Sequence, residues 1–479
     1  MTLIKSISGI RGTIGGKPGD ALTPVDTVKF AAAFGTWVKS RQGTRLPDGQ
    51  ERIVIGRDAR ISGEMVSNLV CATLQGLGLD VIDLGLSTTP TVEIAVPLEK
   101  AGGGIILTAS HNPIQWNALK LLNEKGEFIS AEDGATILKI AADESFDFAP
   151  VEKLGSYDKK NKYIKKHIEL ILKNKLVDKK AIQKSKFKIV VDAVNSTGGI
   201  SVPELLKALG VKKVKKLYCE PTGKFPHNPE PLPENIKAIC REVKKEKYDL
   251  GIVVDPDVDR LALIQEDGKP FGEEYTLVAV ADYVLSRRKG LSAKDSSKAG
   301  NTVSNLSSTR ALRDVTEKAK GKYTAASVGE VNVVTAMKKT KAVIGGEGNG
   351  GVIFPELHYG RDALMGIALF LTHLAKSKMT ASELRKTYPN YFISKNKIEL
   401  TPQINVDEVL EKIKVKYASE KINTADGVKI DFEKEKEWVH LRKSNTEPII
   451  RIYAESENEK KADELAKKII REIQDVIKN

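Results

Sequence analysis

The sequence predicts an α/β protein of three related mixed-sheet α/β domains followed by a smaller α+β domain. Two observations carry this reading. First, one layout recurs: an apolar run, a polar loop, an amphipathic segment and a second apolar run. It is seen as Ile53-Val54-Ile55 to Leu79-Asp80-Val81-Ile82, as Ile189-Val190-Val191-Asp192 to Val211–Val214, and as Asn301-Thr302-Val303 to Tyr323–Ala326. Strands alternating with helices imply parallel βαβ units, and a unit repeated at this scale implies related domains. Second, from Ile393 the texture changes to alternating strands, Ile398–Leu400, Val428–Phe432, Trp438–Leu441 and Ile449–Tyr453, ending in an amphipathic helix over Lys460–Ile477.

In chain order, Gly9-Ile10-Arg11-Gly12 sets one arginine between glycines, which let backbone approach a ligand. Thr23 has the chemistry of an N-cap, with Pro24 at the first helical position and an apolar stripe through Val28, Ala31, Phe34 and Val38. The strand Ile53–Ile55 runs into Gly56-Arg57-Asp58-Ala59-Arg60, with a helix from near Ser62. Gly104–Leu107 reads as a buried strand emptying into Thr108-Ala109-Ser110-His111-Asn112-Pro113. The Lys-rich stretch Lys159–Lys188 carries Ile164, Ile168 and Ile171 at helical spacing and reads as a solvated helix face. It ends the first domain; the turn Asp267–Pro270 ends the second, and a helical joint over Met379–Tyr388 ends the third. The expected domains are 1–155, 156–268, 269–388 and 389–479.

A chain of 479 residues is too long for one core. Its 41% hydrophobic and 29% charged content is that of an ordinary globular protein. The net charge of +13 suits nucleic acid, an anionic surface or phosphorylated substrates. The Lys-rich stretch carries no recognisable nucleic-acid-binding module, which argues against nucleic acid. Cys71, Cys219 and Cys240 show no paired spacing, as in a reducing compartment. No apolar run is long enough for a membrane span and Met1–Lys5 does not open a signal peptide, so the expected location is cytoplasmic.

Ser110 follows the carboxyl end of a predicted strand, where open α/β sheets bind ligands. A serine there needs a base, a cation or a metal to react, and His111 and Lys120 lie close in sequence. Downstream, Asp255, Asp257 and Asp259 alternate with Pro256 and Val258. Carboxylates so close raise one another's pKa unless a cation neutralises them, and oxygen-only ligands beside phosphate suit Mg²⁺. A calcium loop starting at Asp255 would place Glu266 twelfth, but its sixth position, glycine in such loops, is Arg260. Five of the seven residues from Gly345 to Gly351 are glycine, with Glu347 and Asn349 as polar side chains suited to sugar hydroxyls. Arg442, Ser444, Asn445, Thr446 and Arg451 gather donors suited to a phosphate clamp.

These four stretches, in this order, resemble the α-D-phosphohexomutases, the family of phosphoglucomutases, phosphomannomutases and phosphoglucosamine mutases. The likeness runs from Gly9-Ile10-Arg11-Gly12 to the closing helix. It implies four domains around a central cleft and a reversible exchange of hexose 6-phosphate and 1-phosphate. Phosphorylated Ser110 would donate to a hexose phosphate, giving a hexose 1,6-bisphosphate that returns its other phosphate. Mg²⁺ would be held by Ser110, Asp255, Asp257 and Asp259. Lys120, Arg11 and His111 would assist proton transfer and charge, and Arg260 would orient the aspartate loop. Glu347 and Asn349 would grip the sugar, and Arg442, Ser444, Asn445, Thr446 and Arg451 the phosphate that is not reacting. Acidic Glu330, with Asn349 and Gly351 standing where many relatives carry serine and some histidine, tilts the expected sugar toward glucosamine. The alternatives are phosphomannomutase/phosphoglucomutase activity or a basic nucleic-acid-binding protein. A monomer or homodimer is expected.

Overall fold

Uncharged apolar runs form one inner strand in each sheet of the first unit. Gly103–Leu107 and Leu250–Val254 are buried at every position, as strands covered on both faces must be. The computed structural model of the protein describes residues 1–6, 9–41, 51–287, 300–399, 404–443 and 449–478. They fall into two units: Met1–Tyr283 with Gly350–Leu384, and Val284–Asn349 with Arg385–Asn479.

The first unit holds two mixed sheets. One orders Ile4–Ser6, Gly9–Thr13, Trp116–Leu122, Gly103–Leu107, Arg52–Arg57, Asp80–Leu86 and Tyr157–Lys159. The last four are parallel, whereas Trp116–Leu122 runs antiparallel to both of its neighbours. The other sheet orders Leu261–Gln265, Leu250–Val254, Lys188–Asp192 and Lys213–Leu217, with only the first pair antiparallel. The helix Pro24–Ser40 begins as its sequence predicts, with Thr23 and Asp26 forming a capping box and Pro24 in the first turn. It buries Phe30, Phe34 and Trp37 against the first sheet's core. The helix Gly198–Leu209 starts hard against a neighbouring chain segment, where a Cβ on Gly199 would lie 2.1 Å from the Cys219 carbonyl oxygen.

The Lys-rich stretch forms the helix Tyr163–Lys173, burying Ile164, Ile168 and Ile171 and exposing its lysines. His167 lies on the buried face with them and is fully buried. Residues 350–384 belong to the first unit although the sequence pattern groups them with 269–388. The helix Ala363–Ser377 accounts for this. It is apolar almost all round, with Ala363 through Thr372 buried without a break, and it packs on helices of the first unit.

In the second unit Tyr323–Ala326, Thr302–Asn305 and Ile344–Glu347 are parallel neighbours. An antiparallel sheet orders Phe392–Glu399, Ile449–Ser456, Glu437–Lys443, Val428–Phe432 and Lys421–Asn423. The helices Val406–Lys416 and Glu459–Lys478 share its apolar core. Polar contacts join the two sets of strands. Lys429 Nζ donates to the Leu306 carbonyl at 2.7 Å, and Ser307 Oγ lies 2.8 Å from His440 Nδ1. Buried Glu455 accepts from Arg310 N–H at 2.9 Å and from Trp438 Nε1 at 2.6 Å. Among the described residues no helix is long and apolar enough to cross a membrane.

Burial pushes the Glu455 carboxyl up to about 7 from an ordinary 4.5. A carboxyl that holds its proton more tightly when folded contributes stability below 4.5 and loses it as pH rises through about 7. The urea midpoint of the wild type should therefore fall across that window, and Glu455→Gln, which cannot ionise, should flatten the fall. Parallel midpoint–pH curves for the two proteins would refute the assignment.

Candidate functional site

Ser110 lies in the loop that leaves the buried strand Gly103–Leu107. Thr108 Oγ1 donates to Asp58 Oδ2 at 2.6 Å and accepts the Ser110 N–H at 2.9 Å. Ser110 itself is left-handed, with φ of 48°, a conformation a non-glycine residue keeps only when its surroundings impose it. Arg60 does much of the imposing. Its fully buried guanidinium pairs with Asp58 Oδ2 at 3.0 Å and donates to the carbonyls of Ser110, Asn112, Pro113 and Trp116 at 2.5–2.9 Å. The Ser110 hydroxyl, thus aimed, donates to Asp255 Oδ2 at 2.8 Å and lies 3.4 Å from His111 Nδ1.

Asp255, Asp257 and Asp259 are fully buried in the loop between Leu250–Val254 and Leu261–Gln265. Strands on both flanks exclude the helix–loop–helix of a calcium hand. Lys120 reaches Asp257 Oδ2 at 2.7 Å and Asp259 Oδ2 at 3.5 Å. Thr89 Oγ1 donates to Asp257 Oδ2 at 2.6 Å, and Arg361 Nη2 donates to Asp259 Oδ2 at 2.7 Å. Asp255 Oδ1 accepts the backbone N–H groups of Asp259 and Arg260 at 3.1 and 3.0 Å, closing the loop on itself.

The three carboxyls do not share one fate. Burial, then the charges of Asp259 and Asp257, drive Asp255 well above the usual carboxylate range. Burial works the same way on Asp257, but Lys120 and the Thr89 hydroxyl outweigh it and hold that carboxyl well below. Lys120 is the mirror case: burial opposes its charge, yet Asp257 and Asp259 raise its pKa. Mutual elevation, expected from the sequence where no cation intervenes, holds for Asp255, and Lys120 is the cation that reverses it for Asp257. Asp257 Oδ1 and Asp259 Oδ1 are buried without a hydrogen-bond partner, and one oxygen from each of the three carboxylates lies within 4.8 Å of the others. A hard divalent cation fits that donor set, with the Ser110 oxygen already on Asp255.

His111 stays neutral. Burial, reinforced by Arg260 and Arg361, lowers its pKa well below the usual value. Arg260 pairs with Glu230 Oε1 at 3.1 Å, and His111 Nε2 lies 3.9 Å from the same oxygen. Arg11 sits opposite Ala118 in the antiparallel pair of Gly9–Thr13 with Trp116–Leu122. Alternation along the strand places it on the same face as Lys120. Its Nε is buried without a hydrogen-bond partner, and burial lowers its pKa.

In the second unit, Glu347 is buried at the end of Ile344–Glu347, and its Oε1 accepts from Asn305 Nδ2 at 2.9 Å and from Gly329 N–H at 3.2 Å. Glu330, next to that Gly329, is buried in the first turn of Glu330–Thr340. Asn349 is half-buried in the turn after Glu347. Arg442 and Arg451 face each other across neighbouring strands, and Arg442 Nε lies 3.3 Å from Asp426 Oδ2. Ser444, Asn445 and Thr446 lie outside the described residues.

Sequence reasoning missed Arg60, Asp58, Thr89, Glu230 and Arg361. The loop Gly56–Arg60 carried a signal, since it is charged and follows a buried strand as the Ser110 loop does. Thr89 and Arg361 carried none, because their partners lie 168 and 102 residues away.

Four segments of the chain match the four described domains of one family. Residues 3–148, 162–268 and 273–391 match the alpha/beta/alpha domains I, II and III of phosphoglucomutase/phosphomannomutase, and 397–472 match its C-terminal domain. A phosphoglucomutase/phosphomannomutase of Thermococcus kodakarensis is 37% identical over 472 residues, covering 98% of this chain and 99% of the relative. A phosphoglucosamine/phosphogalactosamine mutase of Sulfurisphaera tokodaii is 30% identical over 471 residues, covering 96% and 97%. In fold, the crystal structure of a phosphoglucomutase/phosphomannomutase family protein from Burkholderia thailandensis superposes with a TM-score of 0.81 at 24% identity, over 99% of this chain and 98% of that one. Fold and site thus define a mixed α/β protein with a serine set against an aspartate loop. The chain belongs to the phosphoglucomutase/phosphomannomutase family.

Arg60→Lys keeps one charge but loses the planar fork that spans four carbonyls. The Ser110 loop should relax, and a misplacement of about 1 Å costs on the order of 10²-fold in rate. Steady-state kinetics should show the loss in kcat. An unchanged kcat would mean that the loop holds its conformation without Arg60.

Proposed function

We propose that the protein is a phosphohexomutase that interconverts hexose 6-phosphate and hexose 1-phosphate, with glucosamine phosphate as the preferred substrate. The observation that carries the mechanism is the 2.8 Å hydrogen bond from Ser110 Oγ to Asp255 Oδ2, which sets a serine against a buried carboxylate loop. In the working enzyme Ser110 is phosphorylated. The phosphoryl group passes to the free hydroxyl oxygen of the hexose monophosphate: the bond from Ser110 Oγ to phosphorus breaks, a bond from phosphorus to the sugar oxygen forms, the hydroxyl proton leaves to a base, and the freed Ser110 Oγ takes up a proton. The bisphosphate turns over, and Ser110 Oγ then takes the other phosphoryl group, which regenerates the phosphoenzyme. A hexose 1,6-bisphosphate is thus both intermediate and activator.

His111, neutral and 3.4 Å from Ser110 Oγ, is suited to accept the proton. Lys120 keeps its proton between two carboxylates, which suits it to neutralise charge rather than to act as a base. Arg11, on the same strand face, adds a second cation. Mg²⁺ held by Asp255, Asp257, Asp259 and a phosphoserine oxygen supplies positive charge against the transferring group. Arg260 holds the aspartate loop. Glu347 and Asn349 bind sugar hydroxyls, while Arg442, Ser444, Asn445, Thr446 and Arg451 bind the phosphate that is not reacting.

The preference for an amino sugar rests on Glu330, a buried carboxylate one residue from the Gly329 N–H that binds Glu347. The second reading, phosphomannomutase/phosphoglucomutase, is favoured by the name of the Thermococcus kodakarensis relative. The functional division follows 1–155, 156–268, 269–388 and 389–479, which the family matches support. Three cysteines unpaired with one another fit a cytoplasmic location. The protein acts as a monomer or homodimer on small phosphorylated sugars, without nucleic acid.

The kcat/KM values for glucosamine, mannose and glucose 6-phosphates decide between the two sugar readings. Glucosamine phosphate should lead, and Glu330→Gln should erase its lead; a higher value for mannose or glucose phosphate favours the second reading. Asp257→Asn should lower kcat far more than it changes KM, because metal polarisation supplies several kcal/mol, about 10²-fold or more in rate, mainly in the transition state. A variant with wild-type kcat in Mg²⁺ would make the loop structural.

A further inference from the structure

Behind the aspartate loop lies a second buried cluster that the proposed reaction does not use. His167 Nε2 and His358 Nε2 converge on one oxygen, Asp362 Oδ2, at 2.9 and 3.3 Å. The three ligand atoms lie within 4.8 Å of one another. The side chains of His167 and Asp362 are 0% and 1% exposed, and that of His358 is 11% exposed. The rings stand at 89° to each other, so their nitrogens approach one point from two directions.

The outer nitrogens are also placed. His167 Nδ1 lies 3.0 Å from Thr91 Oγ1, and His358 Nδ1 lies 3.2 Å from Glu93 Oε2. An imidazole whose far nitrogen is held by a carboxylate or hydroxyl while the near one points inward is the arrangement that fixes metal-binding histidines. Asp362 Oδ1 is occupied separately, capping the helix Ala363–Ser377 through the N–H groups of Leu364 and Met365. Gly360 makes room for the cluster, since a Cβ there would lie 1.9 Å from Glu93 Oε2.

Two imidazole nitrogens with a carboxylate oxygen suit Zn²⁺ better than Mg²⁺, which prefers oxygen.

We propose that His167, His358 and Asp362 form a Zn²⁺ site, with Glu93 and Thr91 orienting the two rings and water completing the coordination. The ion pins the helices Thr89–Leu98 and Tyr163–Lys173 to the turn before Ala363–Ser377. Two of those segments also carry Thr89 and Arg361, which hold Asp257 and Asp259. The site therefore braces the catalytic loop from behind.

The test is metal analysis of the full-length protein, stripped with a chelator, reloaded with Zn²⁺ in a large excess of Mg²⁺ and desalted. One Zn²⁺ per chain should remain. His167→Gln and His358→Gln should lose it, Asp257→Asn should retain it, and Glu93→Gln should bind it about 10–100-fold more weakly. No retained Zn²⁺ in the wild type would overturn the proposal and leave the cluster held by a proton. So would retention in the histidine variants with loss in Asp257→Asn, which would place the ion at the aspartates. Should the histidine variants fail to fold, Co²⁺ in the wild type decides: a strong visible band marks low-coordinate nitrogen ligation, and only the weak bands of all-oxygen coordination would contradict it.

Discussion

Three carboxylates closing one loop at the end of a buried strand cannot share a dry interior without positive charge close by. Much of the first unit's architecture around that loop answers this constraint. Lys120 comes from a strand that runs against its neighbours, Arg361 from the turn before a buried helix, and Thr89 from the start of another helix. Between them they satisfy Oδ2 of Asp257 and Oδ2 of Asp259. The oxygens left over, Asp257 Oδ1 and Asp259 Oδ1, are those a metal would take. The loop is thus part neutralised by the protein, with two carboxylate oxygens left without a hydrogen bond.

The serine is treated in the same way, by fixing it before it reacts. Its left-handed backbone would relax on its own; Arg60, bonded to four carbonyls and to Asp58, prevents that. A nucleophile held this firmly gives up little entropy in the transition state, which matters in phosphoryl transfer, where positioning and electrostatics supply most of the catalysis. In the proposed reaction Arg60 and Arg361 are positioning residues, for Ser110 and for the aspartate loop.

The sequence made legible what depends on local pattern. Buried strands announced themselves as uncharged runs, the helix Pro24–Ser40 through its cap, and Ser110 and the aspartates through their place at strand ends. The Lys-rich helix was readable because Ile164, Ile168 and Ile171 keep a helical period. What depends on distant contacts was not readable. His167 on that same helix gave no sign that it meets Asp362, 195 residues later. The aspartates were expected to raise one another's pKa unless a cation neutralised them, and nothing in the pattern said that Lys120, from another sheet, would be that cation for Asp257. The assignment of residues 350–384 to the first unit follows from a helix buried on all sides, and a one-dimensional pattern does not say which neighbours bury it.

The central claim is that Ser110 carries phosphate through the cycle. The direct measurement is peptide mass spectrometry after brief incubation of the wild type with hexose 1,6-bisphosphate and Mg²⁺. One phosphoryl group should appear on Ser110 and should leave it when hexose monophosphate is added and turnover begins. A chain that turns over substrate with no phosphate on Ser110 at any time, or with phosphate stably on another residue, would contradict the account.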